Sequence, residues 1–159
     1  MRIVIAEDDK YQREQFARIL GQVFLEADIT LFRTEKEFRE GLEKITMETP
    51  DIVILDIMLR WTDPSLDGDT MPPDVKAGKF FGAGFRCQGL LERGDRTRDI
   101  PVILYSVLER TDIEGELAGL PTNVRFVPKA VTLYNLIAAI REMTGDAKRR
   151  NTQGHDVEN

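Results

Sequence analysis

Five polar residues in this 159-residue chain carry chemistry that packing alone does not call for: Glu7, Asp8, Asp56, Ser106 and Lys129. Glu7 and Asp8 follow the apolar run "IVIA", and Asp56 follows "IVIL". Carboxylates brought together push one another's pKa upward, which disfavours their charged form unless a cation lies among them. A set of oxygen ligands suits a hard divalent ion, and Mg2+ is the expected one. Lys129 and the Ser106 hydroxyl, facing the same spot, would supply charge neutralisation and a hydrogen bond to the oxygens of a transferred phosphoryl group. Asp9, third in the acidic run, reads as a helix cap. The chemistry indicated is phosphoryl transfer, provided that the fold gathers these groups in one place.

Hydrophobic periodicity says how it would. Ile3 to Ala6 reads as a short buried strand. Phe16, Ile19, Leu20, Val23 and Phe24 then recur at helical spacing behind the Asp9 cap, with Gln12 three residues on. "ITLF" (29–32) reads as a second strand. "TEKE" opens a helix at Thr34 with Phe38, Leu42 and Ile45 on its buried face. "DIVILD" (51–56) is apolar throughout its middle, as a strand covered on both faces must be. "PVILYS" (101–106) and "VRFV" (124–127) give two more strands. A last helix carries Leu133, Leu136, Ile137 and Ile140 on one stripe, with Thr132 as its expected cap. Strands alternating with helices imply right-handed crossovers and a parallel sheet covered on both sides. The expected fold is an α/β, doubly wound, five-stranded parallel sheet. In such a sheet ligands bind at the carboxyl ends of the strands, and all five polar residues fall at or just beyond such ends.

Composition limits the alternatives. Hydrophobic residues make up 42% and charged residues 31%, as in ordinary globular chains. The net charge of -6 argues against sequence-independent binding to nucleic acid or to an anionic membrane. Cys87 is the single cysteine, which excludes an internal disulfide framework and fits a reducing, cytoplasmic setting. His155 is the single histidine, in a polar stretch, which argues against histidine-based nucleophilic chemistry and, with Cys87 as the other soft ligand, against a zinc site. No apolar run approaches the roughly 20 residues of a membrane span.

Two stretches interrupt the alternation. Residues 60–84 hold three prolines, four glycines and four aspartates, and read as an extended loop able to lie over the site. The loop aspartates Asp63, Asp67, Asp69 and Asp74 lack the spacing of a calcium-binding loop. Residues 145–159 are nearly devoid of apolar side chains and read as a disordered polar tail, which leaves 1–144 as one domain.

In order and spacing, "IAEDD", "VILD" with Asp56, "DIPVILYS" with Ser106 and "FVPK" with Lys129 resemble the receiver domains of two-component response regulators, of the CheY-like superfamily. The resemblance covers roughly residues 2–144, and it implies the flavodoxin-like (βα)5 fold. It further implies that Asp56 is the phosphoacceptor, a carboxylate nucleophile that forms an acyl phosphate. Asp8 would ligate Mg2+ directly, Glu7 through a coordinated water, with Asp56 and the Met58 main-chain carbonyl completing the protein's share. Lys129 and Ser106 would bind the phosphoryl oxygens. Phe126 would act as the aromatic switch that alters the surface of the fourth helix, fifth strand and fifth helix. The implied partners are a sensor histidine kinase or histidine phosphotransfer protein, and a downstream protein target or a second copy docking on that surface.

The sequence departs from the family at four places. Ala130 follows Lys129 where the family has proline after a cis peptide, and a cis bond there costs about 2.5–4 kcal/mol. Arg60 stands where proline commonly follows the phosphoacceptor by four positions. Val107 is bulkier than the usual residue and would restrict access to Asp56. The 60–84 stretch replaces a short turn. Two roles stay open for Ser106, because "SVLE" is itself a capping box, and two for Phe126, which also reads as ordinary core. A degenerate receiver acting by protein contact without phosphorylation is the alternative function. A turnover phosphatase with an aspartyl nucleophile is disfavoured, because Met58 stands where those enzymes carry a second aspartate.

Overall fold

The computed structural model describes residues 1–63, 71–78, 81–129 and 132–145. Five strands form one parallel sheet: β1 (Arg2–Ala6), β2 (Asp28–Phe32), β3 (Ile52–Leu55), β4 (Val102–Ser106) and β5 (Val124–Pro128). Their spatial order is β2-β1-β3-β4-β5. The chain leaves β1 for one side of the sheet and returns to pair β3 on the other, so the order reverses between β1 and β3. That reversal opens a crevice at the carboxyl ends of these two strands.

Each central strand is buried on both faces, and its residues divide by parity. Val4, Ala6, Val53, Leu55, Val102 and Leu104 join one core with Phe38, Ile45, Cys87, Leu91 and Ile113. Ile3, Ile5, Ile52, Ile54, Ile103 and Tyr105 join the other, with Phe16, Leu20, Leu136 and Ile140. The second core is covered by α1 (Lys10–Val23) and α7 (Tyr134–Thr144). Over the first lie α2 (Glu35–Glu40), α3 (Leu42–Glu48) and α5 (Ala83–Glu92), then a 3-10 turn (Arg110–Ile113) running into α6 (Glu114–Leu117). The doubly wound five-stranded sheet read from the sequence is the fold observed. Among the described residues, no helix is long and apolar enough to cross a membrane.

Several local details differ from expectation. The helix opened by Thr34 breaks at Gly41, where a Cβ would fall 2.4 Å from the Phe32 ring. Thr34 does cap α2, its hydroxyl accepting from the Glu37 N–H at 3.1 Å, but the Glu37 carboxylate turns back to the Arg33 N–H at 2.7 Å. Thr132 does not cap the last helix, which begins at Tyr134 with Leu133 at the cap position and no side-chain cap. The 60–84 stretch is not loop throughout: it contains α4 (Pro73–Gly78), and α5 already starts at Ala83. Residues 64–70, 79–80 and most of the expected tail (146–159) lie outside the described residues, as does the Lys129–Ala130 peptide because Ala130 is not described.

Candidate functional site

Ladder hydrogen bonds bring the acids to the crevice. The Glu7 N–H donates to the Phe32 carbonyl at 3.0 Å, and the Asp56 N–H to the Ala6 carbonyl at 2.9 Å. The ends of β1 and β3 are thereby locked side by side. One carboxylate oxygen from each of Glu7, Asp8 and Asp56 then lies within 4.8 Å of the others. Lys129 arrives from the end of β5, where its N–H donates to the Ser106 carbonyl at 2.7 Å. Its Nζ donates to Glu7 Oε2 at 2.8 Å and to Asp56 Oδ2 at 2.7 Å. Four of the five groups read from the sequence therefore converge through direct contact or short separation.

Burial gives the cluster its electrostatics. Glu7 is 1% exposed, and burial followed by the repulsion of Asp56 pushes its carboxyl up to about 7, against the pull of Lys129. Burial alone would lower the Lys129 ammonium, but the Asp56 and Glu7 carboxylates outweigh it and hold the group above its ordinary value. Lys129 thus stays protonated beside two acids. The remaining Glu7 oxygen accepts from the Asp9 N–H at 3.0 Å, and Asp56 Oδ1 accepts from the Met58 N–H at 3.0 Å. Asp9 caps α1, accepting from the Gln12 N–H at 2.9 Å as its type and spacing predict.

Ser106 is fully buried, and its Oγ has no hydrogen-bond partner among the described residues. It does not cap the following turn; the Asp112 carboxylate instead accepts from the Glu109 N–H at 3.2 Å. A buried hydroxyl without a partner is costly, and this one stands at the carboxyl end of β4, in the residue whose carbonyl holds the Lys129 N–H. Phe126 is half-buried against the core beneath α5 and α6. Val107 stands 65% exposed.

Three oxygen donors from two adjoining strands, a buried cation and an unsatisfied hydroxyl fit a hard divalent ion beside an anionic group. Sequence reading missed three contributors. Arg60 Nε donates to Asp8 Oδ2 at 2.9 Å. Gly84, in the first turn of α5, packs on the exit of β3: a Cβ there would fall 2.6 Å from the Asp56 carbonyl oxygen and 2.8 Å from Ile57 Cα. Glu35, 0% exposed, accepts from Arg86 Nη2 at 2.6 Å and Arg39 Nη2 at 2.8 Å, and Arg39 also reaches Asp74 in α4. Only the Glu35–Arg39 spacing of four was visible locally.

No family model matches the sequence. Among curated proteins, the response regulator MprA of Mycolicibacterium vanbaalenii is 26% identical over 144 residues, which cover 90% of this chain and 50% of that protein. MprA of Mycobacterium ulcerans is 25% identical over 157 residues, covering 98% and 55%. The chain thus spans about half the length of the curated relatives it matches. Among solved structures, the signal receiver domain of a signal transduction histidine kinase from Syntrophus aciditrophicus superposes with a TM-score of 0.63 at 22% identity, covering 93% of this chain and 92% of that one. The receiver domain of a DNA-binding response regulator from Colwellia psychrerythraea 34H gives 0.63 at 21% identity, covering 91% and 98%.

Proposed function

We propose that the chain is a receiver domain of the response-regulator kind, as its similarity to response regulators and receiver domains supports, and that it accepts a phosphoryl group on Asp56 and converts that event into a change of protein-binding surface. The observation that carries the proposal is the convergence of Glu7, Asp8, Asp56 and protonated Lys129 at the reversal point of the sheet. Mg2+ held by Asp8, Asp56, the Met58 carbonyl and, through water, Glu7 would offset the charge of the phosphoryl oxygens. An Asp56 carboxylate oxygen attacks phosphorus, and the P–O bond forms as the P–N bond of a phosphohistidine donor breaks. The departing imidazole keeps the electron pair. Lys129 exchanges its contact with Asp56 for one to a phosphoryl oxygen, and the free Ser106 hydroxyl donates to another. The phosphoryl group stays on the chain, so the protein is a switch and not a turnover enzyme.

The donor would be a sensor histidine kinase or a histidine phosphotransfer protein. Ser106 sits at the end of β4 and Lys129 just past β5, so their movement toward phosphate pulls on both. Phe126 on β5 would swing with them and reshape the face formed by the 3-10 turn with α6, β5 and α7. A downstream protein or a second copy would read that face. Val107 beside Ser106 would restrict the approach of water to Asp56. In this reading 1–144 is the signalling domain and 145–159 a polar tail.

One observation favours a second reading, a degenerate receiver that works by contact alone. Lys129 and Arg60 already balance much of the acidic charge without a metal. Beryllofluoride separates the two. With Mg2+ present, 19F NMR of a working receiver gives a bound resonance that disappears in Asp56→Asn and without Mg2+. If the wild type gives no bound resonance at millimolar Mg2+, the contact-only reading replaces phosphorylation.

A further inference from the structure

The Arg60 guanidinium is an unassigned part of this site. Its Nε donates to Asp8 Oδ2 at 2.9 Å, and the pair is partly exposed, 46% for the arginine side chain and 20% for the aspartate. Asp8 is the acid expected to touch the metal directly. The backbone around Arg60 is held: the Glu35 N–H donates to the Arg60 carbonyl and the Lys36 N–H to the Trp61 carbonyl, each at 3.0 Å. Those bonds fix residues 60–61 to the first turn of α2. Glu35 in turn is gripped by Arg39 and Arg86, which anchors that turn to α5. The main chain is therefore rigid here, while the half-exposed side chain can swing.

We propose that Arg60 is an internal competitor for the cation at Asp8: its guanidinium takes the metal's place in the metal-free protein and must leave Asp8 for Mg2+ to bind. This rests on the reading of Glu7, Asp8 and Asp56 as a Mg2+ site. Two effects act in one direction. Mg2+ must break the ion pair, and the displaced guanidinium, tethered nearby, still repels a divalent ion. The consequence is a raised threshold, so that the site fills only at higher Mg2+ or when phosphoryl oxygens add ligands. Lys129 answers to Glu7 and Asp56 and does not substitute, because no contact to Asp8 is among its bonds.

An exposed ion pair alters an equilibrium by a factor of roughly 1.5 to 5, and removing the local positive charge adds to that. Arg60→Gln should thus bind Mg2+ about three- to tenfold more tightly than the wild type, with the gap narrowing at high salt. Arg60→Lys keeps the charge and should stay near the wild type. Trp61 is the single tryptophan, and its ring lies against Arg39 at 5.6 Å, so its fluorescence provides a reporter next to the moving side chain. Isothermal titration calorimetry gives the same affinity independently. Circular dichroism in metal-free buffer checks that the variants are folded. Equal affinity in wild type and Arg60→Gln overturns the competitor role while leaving the metal site intact. Absence of Mg2+ binding in both overturns the metal site and the competitor role together. Tighter binding in Arg60→Gln that survives high salt unchanged also contradicts a charge-based competition.

Discussion

Replacing Gly84 by alanine tests how tightly the end of β3 at Asp56 is braced. Gly84 lies in the first turn of α5, and its N–H donates to the Ile57 carbonyl at 3.2 Å. An added Cβ would meet the Asp56 carbonyl oxygen at 2.6 Å, Ile57 Cα at 2.8 Å and the Asp56 carbonyl carbon at 3.1 Å. All three are backbone atoms, so no rotamer change relieves the contact, and α5 must retreat by roughly 0.6–0.8 Å to restore ordinary spacing near 3.4 Å. Overpacking of this kind costs about 1–3 kcal/mol. Alanine returns up to about 1 kcal/mol through helix propensity, and less than that in a first turn. The net expectation is a loss of about 1–2 kcal/mol, or roughly 2–8 °C in unfolding midpoint for a domain of this size. Urea denaturation and calorimetry of wild type and Gly84→Ala give the number. The same retreat shifts the peptide that follows Asp56, so Mg2+ affinity should fall in parallel. A variant as stable as the wild type, or more so, would refute the close approach of α5 to that peptide.

Other perturbations follow from the charged groups. Glu35→Gln leaves Arg39 and Arg86, 20% and 15% exposed, facing an uncharged partner. Breaking a buried pair in this way costs about 3 kcal/mol in chemical denaturation, and a loss below about 1 kcal/mol would show that the network carries little. Glu7 bears on pH. Its carboxyl titrates near 7 in the folded chain against an ordinary 4.5, first because of burial and then because of Asp56. A group raised in the folded state contributes stability below its unfolded pKa and loses that contribution as pH rises through the folded one. In metal-free buffer the wild type should therefore lose stability relative to Glu7→Gln between about pH 4.5 and 7, and parallel stability profiles would contradict the shift.

Much of the architecture is legible in the sequence because it is carried by local period. The strands at 3–6 and 52–55, and 102–105 of the fourth strand, are apolar at every position since both faces are covered, and the Phe16–Leu20 stripe reports its helix directly. The acids were legible for a related reason: they stand where an apolar run ends, and a parallel sheet brings such ends to one edge. The features that escaped depend on distance in sequence. Arg60 meets Asp8 across 52 residues and Arg86 meets Glu35 across 51, and neither spacing leaves a periodic trace. The need for glycine at position 41 rests on the Phe32 ring filling the place of a Cβ, a contact between a strand and a later helix. Thr132 illustrates the opposite failure. Its residue type suits a cap, but Leu133 is buried in the core beneath α7, and the helix starts one residue beyond it.

The most direct test of the central claim is intact-mass spectrometry after incubation with Mg2+ and acetyl phosphate, followed by peptide mapping. The account predicts one added phosphoryl group, dependent on Mg2+, located on the peptide holding Asp56 and absent from Asp56→Asn. An adduct that persists in Asp56→Asn, or that forms equally well in chelator, would contradict it.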